Sequence, residues 1–506
     1  MAGKRKSVFE CPEAVLAGFI GFSVIVWTLQ CSLLQHVLGI DIFETLVWGE
    51  QMQWGHSKHP PLSGWLGYWT SVITGHSDWG LYLVAQLCIS LGVFFTFKLA
   101  RLFFDRYRAT VAALLLYFLM YYTPSEMKFC TYLVEIAIAP AASYLLLLSL
   151  RKKSHLCWLG LGAVCGLGFL NKYSFGLVAA AFLIVMLTSR EYRRCFGTVG
   201  PYLALLTCLL ILSPHLKWLI DHDFVCFGHV GGRLNEKHSV LMPLFVLAAA
   251  LYPVLAEALA MALALVPKFP PRDETPGRFG RWFAAWRGAA GWERCGVNRE
   301  AVHFSGIIAL FPGAVYLVLS LVGTDIILMW LCSVASCSGI LVMALCPVAA
   351  GPRLLKRVSI LLALFIVAIL VGTTIDTSCR TAASLHVRPR VVLEPVEQFW
   401  RRHSDGAIPV VVGGLRYAAL VDHYSAGHPP VCDPEDEVMI DLYRERIRRH
   451  GALLIDSSPG DFKTFLERTN AQVSFEKHLF RYKSLLGREK KRTFVLGYLP
   501  PGTEIR

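Results

Sequence analysis

Two carboxylates three residues apart, Asp41 and Glu44, stand just after the first membrane-length apolar run, and a basic proline hinge, Lys58-His59-Pro60-Pro61-Leu62, follows them. A carboxylate immediately outside a bilayer can take a proton from an incoming hydroxyl, which is general-base chemistry. A fixed cation can hold a phosphate and stabilise the charge that builds on it as it leaves. If Asp41 and Glu44 share a helical turn they also share a face, so they could orient one acceptor together or raise each other's pKa. The plainer alternative is that Asp41 caps a helix beginning at Ile42, a position that Asp favours. Lys58 and His59 precede two prolines that fix the backbone, so their cations are presented from a stiff turn. The alternative for them is a basic turn facing lipid headgroups.

These residues need a membrane to stand beside. Hydrophobic residues make up 55% of the 506 positions, and the mean hydropathy is +0.50, too apolar for a soluble chain of this length. Apolar runs near the ~20 residues that cross hydrocarbon recur at Ala14–Leu34, Leu81–Phe103, Leu133–Leu150, Pro201–Ile220, Val240–Val266, Phe304–Val322, Ile326–Leu345 and Val358–Val371. Three shorter runs, Ala109–Tyr122, Leu156–Leu170 and Phe175–Leu187, bring the expected count to about 11 transmembrane helices. The first run is too long for a signal peptide and lacks a cleavage site, so it reads as an uncleaved anchor.

Basic residues set the orientation, because Lys and Arg accumulate in cytoplasmic loops. Lys4–Lys6, Arg101–Arg108, Arg151–Lys153, Arg190–Arg194, the stretch Lys268–Arg299 and Arg353–Arg357 all fall on one side of such a count. The N-terminus is therefore expected in the cytoplasm and the region after Val371 outside. The net charge of +13 is then a topology signal, and no nucleic-acid partner is needed to explain it. Residues 1–374 form the expected membrane domain, with a first outer loop at 35–80 and a cytoplasmic basic linker at 267–303. Residues 375–506 read as a small extracytoplasmic α/β domain: strands at Ile408–Val412, Ala452–Asp456, Val473–Tyr482 and Thr493–Tyr498, helices at Glu437–Arg449 and Asp461–Arg468. That domain has no nucleotide fingerprint or nucleophile elbow and is assigned no catalytic part; it caps the membrane site or touches the acceptor.

The acidic first outer loop, the K-H-P-P-L hinge, the amphipathic segment Trp65–Gly75, Leu170-Asn171-Lys172-Tyr173-Ser174 and Pro214–Trp218 followed by Asp223-Phe224 resemble the ArnT/PMT-like glycosyltransferases of family 39. The resemblance runs from about Asp41 to Val371, and where the family often has an acidic residue followed by Lys before Pro, this chain has Lys-His. It implies a GT-C fold and an inverting transfer of a hexosyl or pentosyl group from a polyprenyl-phosphate donor. The acceptor would be a lipid, glycan or protein outside the cytoplasmic membrane, as in lipid A or cell-envelope glycan modification. It also implies that an acidic loop-one residue is the base or orients the acceptor.

On that reading Asp41 is the base, Glu44 its partner, and Lys58 and His59 grip a phosphate. Lys172 looks like a lone cation at the outer face, which breaks the positive-inside pattern, so an anion should compensate it. The donor phosphate is the proposed anion, with Tyr173 donating a hydrogen bond; the alternative is snorkelling to headgroups. Glu126, Lys128 and Glu135 are secondary cavity candidates, with a salt bridge among them as the plainer account. Lys217, beside Asp221, His222 and Asp223, is a rim candidate or part of a solvated loop, and His229 and Arg233 are weak phosphate candidates. No Cys/His spacing demands a metal, and no tightly bound cofactor is expected, although two carboxylates facing a phosphate can recruit a divalent cation. The 15 cysteines read as small core residues; Cys379 and Cys432 both lie outside, where a bridge would be permitted. Rival readings are a secondary transporter or lipid flippase, expected to show repeats and polar midplane residues, and a non-catalytic scaffold. The sequence shows no repeat, and its polar residues gather at one face, which favours an interfacial enzyme.

Overall fold

The computed structural model describes residues 7–123, 129–228, 239–265, 295–379, 384–487 and 489–506. Its helices are α1 (Pro12–Leu34), α2 (Ile40–Glu50), α3 (Leu62–Ile73), α4 (Asp78–Ala100), α5 (Arg106–Leu115), α6 (Thr131–Lys152), α7 (His155–Asn171), α8 (Phe175–Thr188), α9 (Gly200–Asp221), α10 (Met242–Leu265), α11 (Arg299–Leu321), α12 (Ser338–Leu345) and α13 (Pro352–Cys379). Among the described residues eight helical spans are long and apolar enough to cross a membrane, against the expected eleven: α1, α4, α6, α9, α10, α11, α13 and a composite. That composite is a 3-10 stretch, Leu328–Cys337, continued by α12. The three shorter runs form α5, α7 and α8, of 10, 17 and 14 residues. Leu205, Leu209 and Leu210 of α9, Leu255 and Leu259 of α10 and Leu364 of α13 lie exposed on the outside of the bundle. Such a surface suits hydrocarbon as solvent rather than water.

The basic clusters meet at one end of the bundle. Arg106 and the Tyr107 hydroxyl donate to the Glu10 carbonyl, Arg151 binds Glu300 at 2.8 Å and also the Leu102 carbonyl, Arg108 binds the Met343 and Cys346 carbonyls, and Arg357 binds that of Ala264. The opposite end carries the other contacts: Gln30 to Thr373 and Thr374, both 2.8 Å, and the Tyr82 hydroxyl to Gln35 at 3.0 Å. Much of the expected linker at 267–303 lies outside the described residues.

The C-terminal domain sits at that opposite end. It adds α14 (Arg390–Arg401), β1 (Val411–Val412), α15 (Leu415–Tyr424), β2 (Val431–Cys432), α16 (Glu437–His450), β3 (Ala452–Asp456), α17 (Lys463–Glu467), β4 (Phe475–Tyr482) and β5 (Lys490–Leu499). The sheet order is β2-β1-β3-β5-β4, parallel through the first three strands and antiparallel through the last three. The expected strand at Ile408–Val412 shrinks to two residues, and α14, α15 and β2 are additions. Cys379 is exposed, Cys432 is buried, and neither is bridged.

Loop one is built by α2 and α3, which cross at two glycines. A β-carbon on Gly49 would stand 2.0 Å from the Gly64 carbonyl oxygen, so only glycine permits that approach. Gly49→Ala is expected to destabilise the protein by about 1–3 kcal/mol through overpacking, seen as a lowered unfolding temperature in detergent. Helix α15 docks on the same loop. The Tyr424 hydroxyl accepts from Leu38 N at 3.0 Å and donates to Asp78 at 2.9 Å, while His423 Nε2 meets the other Asp78 oxygen at 3.0 Å. Phe43 packs edge-on against both rings.

Candidate active site

Helix α2 begins at Ile40 with Gly39 as its cap residue, so Asp41 lies inside the first turn and does not cap a helix at Ile42. Asp41 and Glu44, both half-buried, stand one turn apart on that helix. Glu44 Oε1 accepts from Lys58 Nζ at 2.8 Å, which joins the acidic pair to the proline hinge. Burial raises the Glu44 carboxyl above the usual range; Lys58 opposes this, and the charges of Asp41 and Asp436 add to it. Burial pulls the Lys58 ammonium down, but Glu44, Asp433 and Asp436 outweigh it and the net shift is upward. The two upward shifts have different causes, burial first for Glu44 and the neighbouring carboxylates for Lys58. The hinge is stiffened further by His56 N donating to the His59 carbonyl at 3.0 Å, with Trp48 stacked on His56 and edge-on to His59.

A cavity of about 390 Å³ opens at this point, lined by Glu44, Trp48, Ser57 and Lys58 from loop one and by Asp433, Glu435 and Asp436, among others, from the C-terminal domain. The acidic wall from the C-terminal domain was not anticipated. Its signal, the run Asp433-Pro434-Glu435-Asp436, reads in sequence only as a helix start, and Asp436 does cap α16 by accepting from Val438 N and Met439 N. What the local pattern omits is the partner across the cavity.

Lys172 and Tyr173 diverge. The Tyr173 hydroxyl meets His215 Nε2 at 3.1 Å, His215 Nδ1 reaches the Trp54 carbonyl at 2.5 Å, and Cys226 Sγ donates to the His56 carbonyl at 2.8 Å, so Tyr173 belongs to the loop-one side. His215, Trp54 and Cys226 were likewise missed, because only the tertiary fold brings 54–56, 173 and 215–226 together. Lys172 turns inward and is buried 3.9 Å from Glu135, over the Trp330 ring at 5.7 Å. It is therefore not a lone cation: its compensating anion is Glu135, from which Ser174 is 3.5 Å away. The pair is loose, however. Among the described residues Lys172 Nζ and Glu135 Oε1 make no hydrogen bond, although both are buried.

The remaining candidates separate. Lys217 pairs with Asp221 on an exposed face of α9 and is absent from the cavity lining, which favours the solvated reading. Glu126, Lys128, His229 and Arg233 lie outside the described residues. The expectation that polar groups gather at one face fails at Glu257, fully buried within α10 beside Gly339 of α12. Among the described residues no group of three or more His, Cys, Asp or Glu could hold a metal.

A second carboxyl pair joins loop one to the C-terminal domain. Burial drives the Asp422 carboxyl of α15 well above the usual range, with the Glu50 charge adding to it. Burial pushes Glu50 up to about 7, opposed by Arg446. With its folded pKa above the unfolded value, Glu50 binds more proton in the native state, so its contribution to stability falls as pH rises from about 5 to about 7, and the raised Asp422 adds a loss of the same sign. Glu50→Gln is expected to flatten this dependence, which for one proton is at most about 1.4 kcal/mol per pH unit, in thermal unfolding measured across that range.

Residues 58–218 match a family model described as dolichyl-phosphate-mannose-protein mannosyltransferase, a segment that begins at Lys58 and takes in Lys172, Tyr173 and His215. The chain is 26% identical over 188 residues to lipopolysaccharide core galacturonosyltransferase RgtA of Rhizobium johnstonii, and 28% over 192 residues to RgtB of the same organism. Each alignment covers 37% of this chain, and the chain spans only 38% and 39% of those two relatives. Crystal structures of ArnT from Cupriavidus metallidurans, one bound to undecaprenyl phosphate and one in the apo state, superpose with TM-scores of 0.59 and 0.60. The superpositions cover 95% of this chain and 97% of theirs, at 14% and 15% identity. The fold is that of ArnT, the GT-C fold expected from the loop-one motif, and the PMT-like resemblance holds over the matched segment.

Proposed function

We propose that this GT-C-fold, PMT-like chain is a glycosyltransferase that moves a sugar from a polyprenyl-phosphate donor to a lipid, glycan or protein acceptor. The observation that carries this reading is the Glu44–Lys58 contact at 2.8 Å beside Asp41, at the bundle end opposite the basic clusters. An acceptor hydroxyl needs a base and a departing phosphate needs a cation, and loop one holds both. Asp41 takes the hydroxyl proton as the acceptor oxygen bonds to the anomeric carbon. The bond from that carbon to the phosphate oxygen breaks, its electron pair leaves with the polyprenyl phosphate, and one in-line displacement inverts the anomeric centre. Glu44 orients the acceptor, while Lys58 and His59 receive the phosphate charge.

Lys172 has an ammonium with unused donors, held by Glu135 only at 3.9 Å, and it serves the donor phosphate when the pair opens. Tyr173, whose hydroxyl meets His215, is a hydrogen-bond donor on the loop-one side rather than beside Lys172. A polyprenyl donor is supported by the undecaprenyl phosphate in the similarly folded ArnT, and an envelope-glycan acceptor by the lipopolysaccharide core named for RgtA and RgtB. The chain works as a multi-pass protein of the cytoplasmic membrane, with its basic end in the cytoplasm and loop one and the C-terminal domain outside. A photoactivatable polyprenyl-phosphate analogue in nanodiscs tests the assignment. Crosslinks to the 54–60 hinge or to 171–174, suppressed by unlabelled polyprenyl phosphate, support it; labelling confined to the basic end refutes it.

A further inference from the structure

We propose that Asp436 of the C-terminal domain is a positioning residue that holds the Ser57-Lys58 hinge in place, so that this domain completes the membrane-side site. The inference deepens the reading above and rests on it for the role of Lys58. Asp436 has its two carboxylate oxygens engaged in different directions. Oδ1 accepts from Val438 N at 3.0 Å and Met439 N at 3.3 Å, which locks the side chain to the start of α16. Oδ2 accepts from the Ser57 hydroxyl at 2.5 Å, 379 residues away in sequence.

Helix α16 is itself anchored on the membrane domain. Val438 packs into a buried cluster with Trp218, Leu219 and Cys226, and Cys226 in turn donates to the His56 carbonyl. The carboxylate is thus borne on a docked, rigid element, the arrangement that places a neighbouring group within the tolerance chemistry requires. Ser57 is one residue before Lys58, and Pro60-Pro61 stiffen the other side of the hinge. With Ser57 pinned by Asp436 and the Lys58 ammonium bonded to Glu44 at 2.8 Å, the cation is pre-placed at the mouth of the cavity before any phosphate arrives. Asp436 contributes negative charge there as well, which favours the charged form of Lys58. It acts through Ser57 and Lys58.

The test uses the full chain in nanodiscs. Asp436→Asn keeps a cap acceptor but removes the charge, and Ser57→Ala removes the bond without touching α16, so a folding defect in one leaves the other informative. The first readout needs no substrate: competitive acetylation of the Lys58 amine, followed by mass spectrometry across pH. Asp436→Asn should shift the labelling midpoint to lower pH, and both variants should label faster at fixed pH. Labelling that matches wild type in both variants overturns the proposal. In the transfer assay each variant should lose roughly tenfold to a hundredfold in kcat/KM for the donor. The double variant should be no worse than the poorer single one. Additive losses, or an unchanged donor kcat/KM, also overturn it. A wild-type protein that transfers nothing, with the labelling shifts intact, would strike the glycosyltransferase reading and leave the positioning contact standing.

Discussion

Asp41→Asn is expected to lower the turnover of sugar transfer by about 10²–10⁴-fold with little change in donor KM, the span a positioned general base contributes. Asn has the shape of Asp and can keep its hydrogen-bond geometry, but it takes up no proton at neutral pH. Glu44 is bonded to Lys58, so Glu44→Gln would perturb the cation as well as the acid. The cap residue of α2 is Gly39, so the substitution does not remove a capping side chain. Initial rates at saturating and limiting donor, on protein of matched folding, decide the matter. A turnover within twofold of wild type would remove Asp41 as the base.

Lys172→Met is expected to cost about 3–5 kcal/mol of stability, because it leaves Glu135 buried and unpaired, and to abolish transfer. The useful comparison is Lys172→Met with Glu135→Leu in one protein. Replacing both members of a buried pair with apolar groups restores most of the stability, so the unfolding temperature should return to near that of wild type. If Lys172 serves the donor phosphate, transfer stays lost in the double variant. If the ion pair is only a packing device, transfer returns with the fold. The single and double variants together therefore separate the two roles, which a single substitution cannot do.

Much of this arrangement was legible in the sequence because the signals are local. Apolar run length marks the spans, the Asp41/Glu44 spacing gives the shared helical face, and the expected strands at Ile408–Val412, Ala452–Asp456, Val473–Tyr482 and Thr493–Tyr498 overlap β1, β3, β4 and β5 of the C-terminal sheet. The acidic first loop and the proline hinge, with the segments at 65–75, 170–174 and 214–224, carried the resemblance that implies the GT-C fold. What escaped has a common physical cause. A two-residue strand such as β2 is set by the strand beside it, so period-2 patterning is too short to show. The anion that neutralises Lys172 lies 37 positions upstream in α6, and sequence spacing says nothing about which helices pack together. The acidic wall at Asp433 and Asp436 looked like an ordinary helix start, and only docking of the C-terminal domain turns it toward Lys58. Glu257 illustrates the converse: a carboxyl in an apolar run is visible in sequence, but its burial beside α12 is a tertiary fact.

The most direct measurement is single-turnover transfer by the purified full chain in nanodiscs, from a panel of synthetic polyprenyl-phosphate sugars to membrane-extract acceptors. Free polyprenyl phosphate and the anomeric configuration of the product are followed together. Wild type is predicted to release polyprenyl phosphate in step with an acceptor-linked sugar of inverted configuration for at least one donor, and Lys58→Ala to release it at least about 10²-fold more slowly. Release at the wild-type rate by both Asp41→Asn and Lys58→Ala, or a product of retained configuration, would contradict a loop-one site that deprotonates the acceptor and holds the departing phosphate.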